Sequence, residues 1–143
     1  MSAEIRVREA RSEDAPRLKQ LINDLGHPIE VADVIRNLDT LSSIGLLPLV
    51  ATEGDRIVGM CGLSAMTTVH RDAPVGRVSV MIVDEAYRGR KIGALLLAEA
   101  ERRLAERGCK ILEVTSNMKR DRAHHFYEEL GYERTSYRFM KRL

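Results

Sequence analysis

The chain has 143 residues, 44% of them hydrophobic and 31% charged, with a net charge of only +2. That is the size and balance of one globular domain with a single core, and the small net charge argues against a long polyanion as partner. No apolar run approaches the roughly 18–20 residues of a membrane span, and with aromatics at 4% and no tryptophan, base-stacking platforms are scarce. The N-terminal stretch Met1-Ser2-Ala3-Glu4-Ile5-Arg6 lacks the apolar core of a signal peptide. Cys61 and Cys109 lack a metal-spaced partner and sit in apolar surroundings, so they are expected to be buried thiols in a reducing, cytoplasmic setting.

Ile5 to Glu9 alternates apolar and charged residues and predicts a strand with one buried face. Ser12 is placed to cap a helix, with Glu13 and Asp14 in its first turn and Pro16 early enough to be tolerated. Leu18, Leu21, Ile22 and Leu25 form its apolar stripe, and Gly26 stops it. Val31, Val34, Ile35, Leu38 and Leu41 repeat the helical period up to Gly45, so two helices should form a hairpin over a sheet. Leu47 to Thr52 and Ile57 to Thr68 read as a β-hairpin turning at Glu53-Gly54-Asp55. Gly59 and Gly62 mark a bulge or a close backbone approach within it.

After a loop at Val69 to Pro74, Val75 to Val83 predicts another strand. Ile92, Leu95, Leu96, Ala100 and Leu104 line one side of the next helix, which Gly108 ends. A short strand at Ile111 to Thr115, a helix at Arg122 to Leu130 closed by Gly131, and a last strand at Tyr132 to Met140 complete the order β-α-α-β-β-β-α-β-α-β. With no linker or repeat, residues 1–143 read as one domain of the α/β (α+β) class.

Two stretches carry chemistry. In the first, the strand ending at Val83 leads through a polar turn into Arg88-Gly89-Arg90-Lys91-Ile92-Gly93-Ala94, where an apolar-periodic helix begins. Unpaired backbone N–H groups at a helix N-terminus, beside three cations, favour an anion and point to a phosphorylated ligand. The segment is neither a Walker loop nor a dinucleotide fingerprint. The second is Asn117 to Tyr132, whose helix carries Ala123, Phe126 and Tyr127 before Gly131-Tyr132. His124 and His125 point to different sides of that helix, so a metal site is not predicted.

The first segment resembles the pyrophosphate-binding pattern of the GNAT family of N-acetyltransferases, Arg/Gln-x-x-Gly-x-Gly/Ala. It fits at Arg88 and Gly93, and Lys91 stands where the family has its middle glycine. Lys91 presents its N–H there provided that its φ stays negative, and it adds a charge. The second stretch is similar to the family's Ala-x-x-Phe/Leu-Tyr-x-x-x-Gly-Phe/Tyr motif, which Ala123, Phe126, Tyr127, Gly131 and Tyr132 match position by position. Arg120 replaces the usual asparagine, and Asn117 is the alternative amide.

The resemblance covers the whole chain. It implies a mixed, mostly antiparallel central sheet flanked by helices, with acetyl-CoA as cosubstrate and a small-molecule amine as acceptor. It implies that the pantetheine arm pairs with the backbone of Met81, Ile82 and Val83, and that the N–H of Ile82 or Met81 polarises the acetyl carbonyl. Tyr127 is then the general acid for the departing thiolate, a role that suits a phenol protonated at neutral pH. A homodimer through the late strands is implied by analogy alone.

The general base stays open. Ser79 stands where many relatives carry a glutamate, leaving Glu85, His70, Glu113 or a water. Lys119 and Arg120 are candidates for the 3′-phosphate. The C-terminal third is also similar to the aminoalkylphosphonate acetyltransferases, through Thr115-Ser116-Asn117-Met118-Lys119-Arg120 and Tyr137-Arg138-Phe139-Met140-Lys141. The missing base keeps a second reading in view, a non-catalytic CoA-binding regulatory or partner protein of the same fold. Nucleic-acid binding through the basic clusters is a third, and it predicts strong salt dependence.

Overall fold

Alternation along the strands and two helical stripes build a sheet covered on both faces. In the computed structural model, which describes residues 4–116 and 120–143, five strands lie in the order β1-β2-β3-β4-β5. They are β1 (Ile5–Glu9), β2 (Leu49–Glu53), β3 (Arg56–Met66), β4 (Val75–Val83) and β5 (Ile111–Val114). The pairs β1–β2, β2–β3 and β3–β4 are antiparallel, whereas β4–β5 is parallel. A parallel pair needs a crossover, and α3 (Ile92–Glu106) supplies it. Helices α1 (Ala15–Asp24) and α2 (Val31–Ser43) come between β1 and β2, and α4 (Asp121–Glu129) follows β5.

Successive strand residues face opposite sides, and both sides are buried. Leu49, Ala51, Val58, Cys61, Leu63 and Val78 meet Ile92, Leu96, Leu97, Ala100 and Leu104 of α3. On the other face, Val50, Ile57, Met60 and Ile82 meet Leu18, Leu21, Val34 and Leu38 of α1 and α2. This is why the strands read as apolar runs rather than as clean alternation.

The β3–β4 register breaks between Gly62 and Leu63. Gly62 pairs with Val80 and Leu63 with Val78, so Ser79 is the extra residue of a bulge. The consequence is a change of face: Val78 belongs to the α3 side, while Val80, two residues on, packs on the α1–α2 side. A Cβ on Gly62 would lie 2.4 Å from the Ser79 hydroxyl oxygen and 3.0 Å from a Val80 methyl, so both side chains would have to shift to admit one. Either reading of Gly59 and Gly62 is thereby met: Gly62 sits at the bulge, and a Cβ on Gly59 would lie 3.1 Å from the Ile82 carbonyl.

Four expectations change. The first helix does not open on a Ser12 cap. A 3-10 turn at Ser12–Asp14 precedes it, because the Asp14 carboxylate takes the Arg11 N–H (2.7 Å) and a bidentate bond from Arg8 (2.8 and 3.1 Å). In α3, Leu95 is half-exposed and Leu97 is buried in its place, a rotation of the stripe by the helix's docking. Cys61 is fully buried, but Cys109 is only partly so.

The fourth change is the last strand. No regular element follows α4 among the described residues, and Tyr137 and Phe139 are exposed. A strand exists only through a partner's backbone, and none of the described strands pairs with 132–140. That segment is tied instead by side chains, Tyr132 to Glu101 (2.7 Å), Arg134 to Glu128 (2.8 Å) and Arg138 to Thr115 (3.4 Å).

Candidate functional site

The parallel ladder between β4 and β5 ends at Val78–Val114, so Ser79 to Val83 of β4 continue with no β5 residue beside them. On the inner side, the Asp84 N–H donates to the Val58 carbonyl (2.8 Å). With Met60 opposite Ile82, antiparallel alternation gives the next ladder bond to Ile82 and turns the N–H groups of Met81 and Val83 outward. Among the described residues this edge of β4 is open, and it offers two amides, from Met81 and Val83.

The strand exit is clamped. Asp84 accepts from the Ala86 N–H (3.0 Å), from Arg17 of α1 (2.5 Å) and from Arg56 (3.3 Å). These bonds, the Ala86 amide first, hold its carboxyl below the usual carboxylate range. Arg17 also donates to the Ile57 carbonyl (3.0 Å), so the loop is fixed to α1 and β3 together.

The chain then enters α3 through a strongly curved loop. Gly89 has φ +81° and Lys91 φ +61°, and Lys91 is the non-glycine residue with positive φ among those described. The expectation of a negative φ at Lys91 is therefore corrected. Lys91 is the N-cap of α3, its carbonyl accepting the first helical bond from the Leu95 N–H (3.1 Å), and it takes the left-handed conformation where an N-cap is usually extended. Left-handed positions next to right-handed ones gather amides into an anion-binding concavity. The N–H groups of Ile92, Gly93 and Ala94 precede that first bond and have no partner within the helix.

The left-handed backbone at 91 carries a cost of about 1 kcal/mol for a residue with a Cβ. Lys91→Gly should therefore be more stable than Lys91→Ala by about 1 kcal/mol, the reverse of their order inside a helix. Chemical denaturation of the two variants checks this, and an alanine variant at least as stable as the glycine one would contradict the geometry.

The three cations differ. Arg90 pairs with Glu53 at the end of β2 and lies 5.2 Å over the Tyr87 ring, so it is committed to the fold. Arg88 and Lys91 are exposed and make no ion pair among the described residues.

Helix α4 docks its aromatic pair on this loop. The Phe126 ring edge stands 3.2 Å from where a Cβ on Gly93 would be, so glycine at 93 lets α4 approach the start of α3. Phe126 and Tyr127 meet edge to face at 5.1 Å, and Tyr127 meets Tyr132 at 6.0 Å. Both residues pack on the α3-side core. Burial first, then the neighbouring Cys61 thiol, pushes the Tyr127 phenol up to about 12, with Arg120 pulling the other way. Burial likewise pushes the Cys61 thiol up to about 12. Both groups are neutral, protonated donors at ordinary pH.

Met81, Val83, Gly93, Phe126 and Tyr127 all pack in one region, while Ile82 points its side chain and its N–H elsewhere. Arg120 stands exposed at the start of α4. Asn117 and Lys119 lie outside the described residues. Of the candidate bases, Glu85 sits in a 3-10 turn just past β4, and His70 in the loop before it. Those two positions flank a nine-residue strand, so His70 and the loop at 88–93 are at opposite ends of it. Glu113 is on β5 and pairs with Arg77 of β4 at 3.1 Å. That pair and the Arg17–Asp84 clamp had no local sequence signal, because each depends on strand register or on elements far apart in the chain.

A strand that parts from its parallel neighbour, an amide-lined loop at a helix start and an aromatic helix docked on it meet in one region of the sheet. The chain belongs to the acetyltransferase (GNAT) family, whose model matches residues 9–132. It is 35% identical over 94 residues to an aminoalkylphosphonate N-acetyltransferase from Salmonella typhimurium; the match covers 66% of this chain and 61% of that protein's length.

Solved structures agree on the fold. A transcriptional regulator from Bacillus halodurans superposes with TM-score 0.87 at 22% identity, over 98% of this chain and all of that one. A Trypanosoma brucei acetyltransferase gives 0.83 at 23% identity, over 98% of this chain and all of its own. The aminoglycoside N-acetyltransferase AAC(6')-Iy, solved with CoA, gives 0.85 at 18% identity, over all of this chain and 96% of that one. Among the described residues no group of three or more histidine, cysteine or acidic side chains could hold a metal, and no helix is long and apolar enough to cross a membrane.

Proposed function

We propose that the protein is an acetyl-CoA-dependent N-acetyltransferase acting on a primary amine of a small molecule. The observation that carries this reading is the contact of Phe126 with Gly93, which joins the anion loop to the helix bearing Tyr127 beside the open edge of β4. Acetyl-CoA supplies the activated acetyl group and a good leaving thiolate. Its pyrophosphate suits the amides of Ile92, Gly93 and Ala94, with Arg88 and Lys91 adding charge. Arg120, near Tyr127, is the described candidate for the 3′-phosphate.

The pantetheine arm has the geometry of an added strand, taking the outward amides of Val83 and Met81. With Ile82's N–H spent on β3, the acetyl carbonyl falls to Met81 as hydrogen-bond donor. Tyr127 gives its hydroxyl proton to the departing sulfur, and its raised pKa ensures that the proton is present. Glu85 and His70 flank β4 at its two ends, and the Glu113 carboxylate is engaged by Arg77. The amine enters neutral; on acylation its nitrogen sheds one proton to solvent on the exposed Ser79 side, and solvent returns one to the Tyr127 oxygen.

The bulge places Ser79, which cannot act as a base, at the mouth of the opening, and this favours a second reading as a CoA-binding protein without turnover. Thiol release from acetyl-CoA in the presence of a panel of small primary amines separates the two. The enzyme reading expects one thiol released for each N-acetyl product. Saturable acetyl-CoA binding with no thiol release for any amine would overturn it in favour of the second.

A further inference from the structure

Helix α4 buries little of itself: none of its nine residues is fully buried. Its hold on the rest of the domain runs through rings. Phe126 stands against Gly93 at the start of α3 and meets Tyr127 edge to face at 5.1 Å. Tyr127 in turn meets a second ring, that of Tyr132, at 6.0 Å and 68° between planes.

The way α4 ends brings Tyr132 back onto Tyr127. Gly131 takes φ +92°, a left-handed value that glycine adopts without strain. The Gly131 N–H then donates to the Glu128 carbonyl (3.1 Å) and the Tyr132 N–H to the Tyr127 carbonyl (3.0 Å). Two closing bonds in this pattern make a Schellman end, which is often accompanied by an apolar contact between the residues joined by the outer bond. Here those residues are Tyr132 and Tyr127, so the backbone bond and the ring contact coincide.

The far end of the Tyr132 ring is fastened to a different helix. Its hydroxyl donates to Glu101 Oε1 at 2.7 Å. Glu101 lies on α3, about two turns beyond Gly93, or about 12 Å along the axis. A bond to a carboxylate is stronger than one between neutral groups. Burial, then this bond, pushes the Tyr132 phenol far above its ordinary value, so the donor keeps its proton. The three rings of Phe126, Tyr127 and Tyr132 are thus tied to α3 at two separate points, and Tyr127 is the middle member of the series.

We propose that Tyr132 is a positioning residue for the general acid: held by Glu101, it fixes the Tyr127 ring so that the hydroxyl faces the departing sulfur. This rests on the acid role given to Tyr127 above. Tyr132 transfers no proton itself and acts through its neighbour. Two anchors matter because the donor must stay within hydrogen-bond reach of the sulfur, and a displacement of about 1 Å can cost about 100-fold in rate.

The test follows thiol release from saturating acetyl-CoA with the panel amine that wild type turns over fastest. Tyr132→Phe keeps the ring and the backbone bond and removes only the fastening to α3. It should lower kcat by about tenfold, with acetyl-CoA affinity by calorimetry and the circular dichroism spectrum unchanged. Glu101→Gln leaves an acceptor oxygen in place and should retain most of kcat, whereas Glu101→Leu should match Tyr132→Phe. The decisive arm adds Tyr132→Phe to Tyr127→Phe. With the acid hydroxyl gone there is nothing left to position, so the second change should move kcat by less than about twofold. Wild-type kcat in Tyr132→Phe, or an equal loss that recurs in the Tyr127→Phe background, would overturn the positioning role and leave the acid role standing. Wild-type kcat in Tyr127→Phe would overturn the acid role and this inference with it, and no turnover of any panel amine would overturn the acetyltransferase reading as well.

Discussion

Tyr127→Phe is expected to lower kcat by about 10²–10³-fold, the usual size of a lost general acid, while acetyl-CoA still binds. The change removes one oxygen and keeps the ring, so the edge-to-face contacts with Phe126 and Tyr132 survive. Tyr127 packs, partly buried, on the core cluster that includes Cys61, and both groups are held protonated, so no thiolate there takes the proton that the sulfur needs. Because the folded value, about 12, lies above the unfolded value near 10, the folded state holds this proton more tightly. Its stabilising effect is full below about pH 10 and is lost as pH rises toward 12. The rate should accordingly show no loss from Tyr127 ionisation between pH 7 and 10. Thiol release by the phenylalanine variant at the wild-type rate would remove the acid assignment.

Arg88→Glu is expected to weaken acetyl-CoA binding by about 100-fold at low salt, with little change in thermal stability. A charge-assisted bond contributes about 1.5–3 kcal/mol, and reversing the charge adds repulsion to its loss; about 2.7 kcal/mol corresponds to 100-fold. The effect should shrink as salt screens the exposed site. Arg90→Ala is the contrast. Arg90 already serves Glu53 and Tyr87, so its removal should cost stability more than affinity. Calorimetric titration and thermal melting of both variants separate the two roles, and the opposite ranking would contradict the loop geometry.

The strands β1 to β4 and the helices α1 to α3 were legible because burial writes itself into the chain. Val50 and Ala51 are both apolar because both sheet faces are covered, and Leu18, Leu21, Val34 and Leu38 mark the helix faces that cover one of them. The two halves of the site were legible as motifs, and their meeting at Gly93 and Phe126 follows from the fold. Other features needed three dimensions. Lysine prefers a negative φ, and the signal for the left-handed turn at 91 was the glycine that the family pattern carries there, not the lysine itself. Ile82 and Met81 look alike in the chain, and only the β3–β4 register assigns one amide to the ladder and the other to the open edge. Arg90 finds Glu53 at the end of β2, 37 residues away. The segment from Tyr132 alternates like a strand, but alternation records a buried face and cannot supply a backbone partner.

The central claim is that the loop at 88–93, the open edge of β4 and helix α4 form one acetyl-CoA site. Its most direct test is a titration of the 15N-labelled protein with acetyl-CoA, followed through backbone amide shifts. Met81, Val83, Gly93, Ala94 and Phe126 are expected to shift together along a single saturable isotherm, while Ile82 and the His70 loop shift far less. Separate isotherms for the loop and for α4, or shifts confined to the basic loop, would contradict it.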